Sequence, residues 1–198
     1  RLSISARSMV VSTILLWRNA ASRCSKAIEP NRSLLFHRNV TVLDLMLARI
    51  VLEISGATTS FVILSLVFIA TGWMTLPANL LTLIGGWLLM IWFTIGLAMV
   101  VGALTEFSEG FERTWHIMTY LMFPLSGAVF MVDWLPKNMQ EIALYVPMIH
   151  AVEMMRDGYY GTIVRTHYDT MYLLTFSSVL VVLGLVLVNR LKSVEGGE

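Results

Sequence analysis

The sequence is short of charge and almost without cysteine. One cysteine, Cys24, stands among 198 residues. It excludes an intrachain disulfide and a cysteine pair for metal or redox chemistry. Cys24 lies in a basic segment, where it reads as an inert thiol or, alternatively, a palmitoylation site. Charged residues make up 14% of the chain, against about 25% in an ordinary globular domain. The net charge is +1, and no basic block interleaved with aromatics occurs, so nucleic acid is not an expected partner. The chain contains no G-x-x-x-x-G-K-[ST], and hence no P-loop for ATP; G-x-G-x-x-G, H-E-x-x-H and G-x-S-x-G are missing too. No ionisable residue stands in the middle of a long apolar run, where a proton-coupled pump has one. A filter-like loop or charged ring, expected of a channel, is not seen. These gaps leave a non-enzymatic transport component whose work comes from another chain.

What is present is apolar sequence: 57% hydrophobic residues and a mean hydropathy of +0.73. From Ile54 to Thr105 there is no Asp, Glu, Lys, Arg or His. A bilayer core of about 30 Å takes about 20 apolar residues as helix, so this stretch is two spans joined by the turn Thr71–Asn79. Gly72 and Pro77 punctuate that turn, and Trp73 suits an interface. The chain is thus expected to be an all-α polytopic membrane protein with a single transmembrane domain over 1–198. Its four complete transmembrane helices are expected at about 50–73, 80–104, 114–132 and 170–189. A partial N-terminal helix is expected around Met9–Trp17, with an interfacial anchor as the alternative. Pro124 should weaken or kink the third span.

Small residues mark close helix approaches at Gly56 and Ser60, and at Gly85, Gly86, Gly96, Ala98 and Gly102. Arg49 and Glu53, one turn apart, read as a structural ion pair. Glu106, Glu109 and Glu112 read as a solvated loop. Basic residues gather at Arg18, Arg23, Lys26, Arg32, Arg38, Arg49, Arg113, Arg190 and Lys192, which places these segments and the C-terminus in the cytoplasm. After the break at Pro30-Asn31, Leu34, Leu35, Phe36, Val40, Leu43, Leu45, Met46 and Leu47 make an amphipathic cytoplasmic element that leads into the first complete span. It either lies on anionic lipid or docks a soluble partner.

Residues about 136–160 are apolar enough to enter lipid but are interrupted by Pro147, the signature of a re-entrant or interfacial helical segment. There His150, Glu153, Arg156 and Asp157 share helical spacing and read as a network that ties down a short helix. His150 and Glu153 are spaced like two metal ligands, but no third ligand in a recognised motif accompanies them. Trp87, Trp92 and Phe93 read as packing residues, with sugar stacking as the alternative.

Three segments, in order, resemble one family. Residues Ala27 to Asp44 resemble the pattern A-I-E-x-N-R-x-L-L-x-x-R-x-V-x-x-x-D of capsular polysaccharide export permeases. Phe123-Pro124-Leu125-Ser126-Gly127 and Pro147 to Arg156 resemble the family's segments flanking its periplasmic helices. These are the membrane subunits of type-2 ABC exporters of the bacterial inner membrane, a group that includes O-antigen and teichoic acid permeases. The resemblance covers about Leu15 to Lys192 and implies a six-span permease working as a homodimer with two ATPase subunits. ATP and magnesium would be bound by the partner ATPase, with no cofactor on this chain. A lipid-linked capsular polysaccharide would pass through a channel between the two copies, towards periplasmic and outer-membrane export proteins. The resemblance makes residues about 31–44 a coupling helix, with Arg32, Leu35, Phe36, Arg38 and Asp44 docking the ATPase, and makes 136–160 periplasmic. Trp87, Trp92, Phe93, Tyr120, Phe123 and Phe130 are the candidates for a saccharide path. The family's first span and most of its second have no counterpart, so the chain is expected to be N-terminally incomplete. The alternatives are a drug or small-lipid exporter of the same fold, and an inactive membrane fragment.

Overall fold

A computed structural model describes residues 2–25, 27, 28, 31, 40–128 and 130–195. Among them every regular element is helical: α1 (Leu2–Cys24), α2 (Val42–Ala70), α3 (Leu80–Phe107), α4 (Glu109–Phe123), α5 (Lys137–Ala143), α6 (Pro147–Tyr160) and α7 (Thr170–Glu195). Short 3-10 turns lie at Val132–Trp134 and Gly161–Ile163, and Pro124–Ala128 forms a kinked turn with Gly127 outside helical φ/ψ. The chain is a polytopic membrane protein. Three helices are long and apolar enough to cross a bilayer: Val42–Ala70, Leu80–Phe107 and Thr170–Leu191.

α3 runs through the centre and packs against α1, α6 and α7. Its composition allows this, because the helix has no charge before Glu106 and so has no face that must meet water. Glycine and alanine let neighbours approach. A Cβ on Gly96 would stand 2.8 Å from Leu180 Cβ, and one on Gly184 would stand 2.6 Å from Met99 Cβ. α2 lies outside. Only Val42, Leu45, Met46 and Ile50 in its first turns are buried, while Val51, Leu52, Val62, Ile63, Leu66 and Val67 are exposed. So much exposed apolar surface on one helix fits hydrocarbon, not water. No atom lies within 4 Å of a Cβ placed on Gly56, so the small pair Gly56 and Ser60 faces open space within one chain.

Several boundaries differ from the sequence expectation. The N-terminal helix is longer than Met9–Trp17, running from Leu2 to Cys24. Arg18 and Arg23 are tolerated because both reach the helix surface. The stretch 114–132 is not one helix. α4 starts at Glu109 and stops at Phe123, about 22 Å by helical rise. Pro124 supplies no N–H, and Gly127 adopts φ +76, which ends the helix. The segment 136–160 is two helices, and Pro147 opens the second at its first turn instead of interrupting one. The acidic loop is nearly absent too, since α3 and α4 are separated by Ser108 alone.

Candidate functional site

The described helices present two ends. One carries the C-terminus of α2, the N-termini of α3 and α7, the exit of α4, and α6. At this end α6 is almost wholly buried, including His150, Glu153 and Arg156. Arg156 Nη1 lies 2.6 Å from Glu153 Oε1, with side-chain exposures of 5% and 0%. A buried ion pair persists only where further hydrogen bonds satisfy it. Here Arg156 also donates to Phe130 O at 3.0 Å and to Gly127 O at 2.5 Å. Glu153 Oε2 accepts from the His167 N–H at 3.4 Å. His150 accepts at Nδ1 from the Asp169 N–H, 2.8 Å, so Nε2 carries the proton and donates to Leu144 O, also 2.8 Å. Both ring nitrogens are spent, which removes His150 as a metal ligand in this arrangement.

Asp157 extends the network, accepting from Thr166 Oγ1 at 3.2 Å and Tyr168 OH at 3.0 Å. Burial, followed by the hydrogen bond to Asp157, pushes the Tyr168 phenol up, so it stays protonated and donating at neutral pH. His150, Glu153, Arg156 and Asp157 are thereby brought together on one helix. Their partners come from the exit of α4, from Leu144 at the end of α5 and from the entry to α7.

α6 is also docked on α3. The Asn79 N–H donates to Gly158 O at 2.7 Å and the Ala78 N–H to Tyr159 O at 3.2 Å. Asn79 caps α3, its Oδ1 accepting from the N–H groups of Leu81 and Thr82.

The other end carries the C-termini of α1, α3 and α7 and the N-termini of α2 and α4. Of the ATPase-docking candidates, Arg32, Leu35, Phe36 and Arg38 lie outside the described residues. Asp44 is described, and it is the third residue of α2, not part of a separate helix over 31–44. The sequence T-x-x-D is a capping box. The Thr41 N–H donates to Asp44 Oδ2 at 2.9 Å, and the Asp44 N–H donates to Thr41 Oγ1 at 3.3 Å. The ion pair expected between Arg49 and Glu53 is redistributed: Glu53 meets Arg23 at 3.4 Å, and Arg49 Nη1 donates to Arg23 O at 3.0 Å. Both contacts fasten α1 to α2. Glu106, expected in a solvated loop, accepts from the Ile28 N–H at 2.9 Å and anchors the turn that follows α1. No local sequence signal announces a contact across that separation.

Cys24 closes α1 against Gly102 and Met46. Burial pushes its thiol up to about 12, outweighing the opposing Arg49 charge. The thiolate is the reactive form, so Cys24 is expected to resist maleimide at pH 7.5 in native membranes and to label fully once the protein is unfolded in detergent. Rapid labelling of the native protein would contradict this packing.

The six aromatic candidates sit in different surroundings. Trp87 is buried, stacked on Phe61 at 4.6 Å, and its indole N–H donates to Thr58 Oγ1. Phe93 is buried and stacks on Phe176 at 6.5 Å, while the Trp92 indole donates to Ser178 Oγ. Tyr120 and Phe123 are exposed on α4, with the Arg18 guanidinium 5.3 Å from the Tyr120 ring centre. Phe130 is half-buried against the cluster of Val132, Ala143 and Ile149, and its carbonyl accepts from Arg156. No ring contact among the described residues joins two of the six.

Residues 9–186 match the family described as ABC-2 family transporter protein. The chain is 44% identical over 183 residues to the capsule polysaccharide export inner-membrane protein CtrC of Neisseria meningitidis serogroup B, covering 92% of this chain and 69% of that protein. It is 37% identical over 182 residues to the capsule polysaccharide export inner-membrane protein BexB of Haemophilus influenzae, covering 91% of this chain and 69% of the relative. A more distant similarity, 24% over 172 residues, is to the polysialic acid transport protein KpsM of Escherichia coli, covering 87% and 67% of the two chains. With a family match over most of its length and relatives of this identity, the chain belongs to the ABC-2 family of transporter proteins.

Proposed function

We propose that this chain is the membrane-spanning permease subunit of an ATP-driven exporter that moves lipid-linked capsular polysaccharide across the bacterial inner membrane. The observation that carries the reading is the identity of 37–44% to capsule polysaccharide export inner-membrane proteins over about nine-tenths of the chain. The chain conducts and couples; it does not catalyse. ATP and magnesium belong to two separate ATPase subunits, and two copies of the permease form the conduit. The basic distribution supports a cytoplasmic C-terminus, since Arg23, Arg49, Arg113 and Arg190 all belong to the end where α1 and α3 finish. On this orientation α6 is periplasmic, and α4 with its broken exit completes a further crossing. The segment 31–44 precedes and enters α2 in the sequence, and its resemblance to the family's coupling segment assigns Arg32, Leu35, Phe36, Arg38 and Asp44 to ATPase docking. Coupling motion entering there would reach α1 and α2 together through Arg23, Arg49 and Glu53.

Deleting the gene is expected to abolish surface polysaccharide and leave polymer inside the cell, with drug tolerance unchanged. Undiminished surface polymer would refute the reading. Altered drug tolerance with normal capsule would point to a drug or small-lipid exporter instead.

A further inference from the structure

Arg18 stands where a membrane helix rarely carries a charge. Its guanidinium lies 5.3 Å from the centre of the Tyr120 ring, within cation–π reach. Two counts along the helices give the depth of this pair. Tyr120 is eleven residues past Glu109, about 16 Å by helical rise. Arg18 is six residues before Cys24, which packs against Gly102, itself five residues before the end of α3; by the same rise that is about 17 Å. A bilayer core is about 30 Å thick. Both counts therefore bring the guanidinium near its middle, not to the cytoplasmic edge that the sequence suggested for Arg18. Among the described residues Arg18 makes no ion pair, and Tyr120 beneath it is 69% exposed. Hydrocarbon tolerates such a charge poorly, so an arginine at this depth belongs to a bundle interior or an aqueous path and marks a substrate route.

The surface of α4 is divided to match. Trp115 and Thr119 turn inward and are buried. Ile117, Met118 and Leu121 form an exposed apolar face suited to lipid. Arg113, His116, Tyr120 and Phe123, also exposed, fall beside it within an arc of about 80°. Glu109 shares that arc only in the first turn, and after Glu112 no acid occurs in α4. With Arg18 added from α1, the strip is basic and aromatic from the cytoplasmic end to mid-depth.

We propose that Arg18 and Tyr120 form a binding site for the anionic groups of an acidic polysaccharide, on a strip of conduit wall continued by Arg113, His116 and Phe123. The proposal deepens the exporter reading and rests on it. A guanidinium fork takes up carboxylate or phosphate oxygens, and the tyrosine offers an apolar face to a sugar ring and a polar tip to water.

Thiol labelling of the assembled exporter in native membranes tests the site, with Cys24 buried and inert. Phe123→Cys, on the strip, is expected to react at least tenfold faster with water-soluble methanethiosulfonates than Leu121→Cys, on the apolar face. With each reagent normalised to its rate with a free thiol, Phe123→Cys should favour the sulfonate-bearing reagent severalfold over the quaternary ammonium one. Adding Arg18→Gln should remove most of that preference. A lipid-free oligogalacturonate should slow the labelling while a neutral maltodextrin does not. Equal slowness at Phe123→Cys and Leu121→Cys would place the strip against lipid and overturn the proposal. So would a charge preference indifferent to Arg18→Gln, or identical effects of the two oligosaccharides, as expected if only a lipid headgroup were bound there.

Export supplies the second readout. At normal subunit levels Arg18→Gln is expected to cut surface polymer severalfold, and Arg18→Lys, which keeps the charge but loses the fork, to cut it less. Export by Arg18→Gln equal to that of the parent would overturn the proposal. Failure of the gene deletion to affect surface polysaccharide would instead strike the exporter reading, and the labelling pattern would stand apart from it.

Discussion

Replacing Arg156 by alanine is expected to destabilise the protein by about 3–5 kcal/mol, the cost of breaking a buried ion pair from one side. Glu153→Ala is expected to cost less, about 1.5–3 kcal/mol, as for a hydrogen bond to a charged group. The asymmetry follows from the partners each charge keeps. Without Arg156, the Glu153 carboxylate stays fully buried with one long contact from the His167 N–H, and the Gly127 and Phe130 carbonyls lose their donor. Without Glu153, the guanidinium still has both carbonyls. The double variant should be less destabilised than the two singles added together, because it strands no charge; coupling of about 0.5–3 kcal/mol is usual for residues in contact. Thermal unfolding of the three variants in detergent checks the order. Equal losses for the two single variants would show that the carbonyl contacts contribute little.

This asymmetry could not be read from the sequence. The spacing of His150, Glu153, Arg156 and Asp157 was legible, since it rests on helical geometry alone. Their partners were not, because Gly127 O, Phe130 O and the Asp169 N–H are backbone atoms whose positions depend on how α4 ends and α7 begins. The same limit applies to Glu106 and the Ile28 N–H. By contrast, the uncharged run from Ile54 to Thr105 announced α2 and α3, because length and apolarity are what a bilayer selects. The run 114–132 had those properties as well, yet it folds as a shorter helix and a turn. There the local chemistry of Pro124 and Gly127 prevails over the apolar pattern. The expected kink was legible; the positive φ at Gly127, with its carbonyl accepting from another helix, was not. At the other end, the capping box at Thr41 and Asp44 was visible as T-x-x-D, but the longer resemblance drew Asp44 into the preceding segment.

Gly158→Ala is expected to be among the most damaging single-methyl changes in the chain, and Gly56→Ala among the most harmless. A Cβ on Gly158 would stand 2.3 Å from Leu83 N, 2.7 Å from Leu83 Cα and 3.0 Å from Asn79 O. All three are backbone atoms in the capped first turn of α3, which cannot rotate aside as a side chain does. To admit the methyl, α6 must lift off α3. That breaks the Asn79 N–H bond to Gly158 O and the Ala78 N–H bond to Tyr159 O, and withdraws Arg156 from its carbonyls half a turn away. Overpacking alone costs about 1–3 kcal/mol, occasionally more, and each lost backbone hydrogen bond adds about 1 kcal/mol. In a chain of this size about 3 kcal/mol lowers Tm by roughly 6–12 °C. Gly56 also lies within a helix, but nothing stands within 4 Å of its Cβ position. Alanine there should leave Tm unchanged or raise it slightly, through its better helix propensity of about 1 kcal/mol. Comparing the two variants by the thermal loss of the monodisperse peak in detergent separates contact from propensity, because both make the same chemical change. If Gly158→Ala melted like the parent protein, the close seating of α6 on the start of α3 would be wrong, and the buried network on α6 would lose the platform that holds it against the exit of α4.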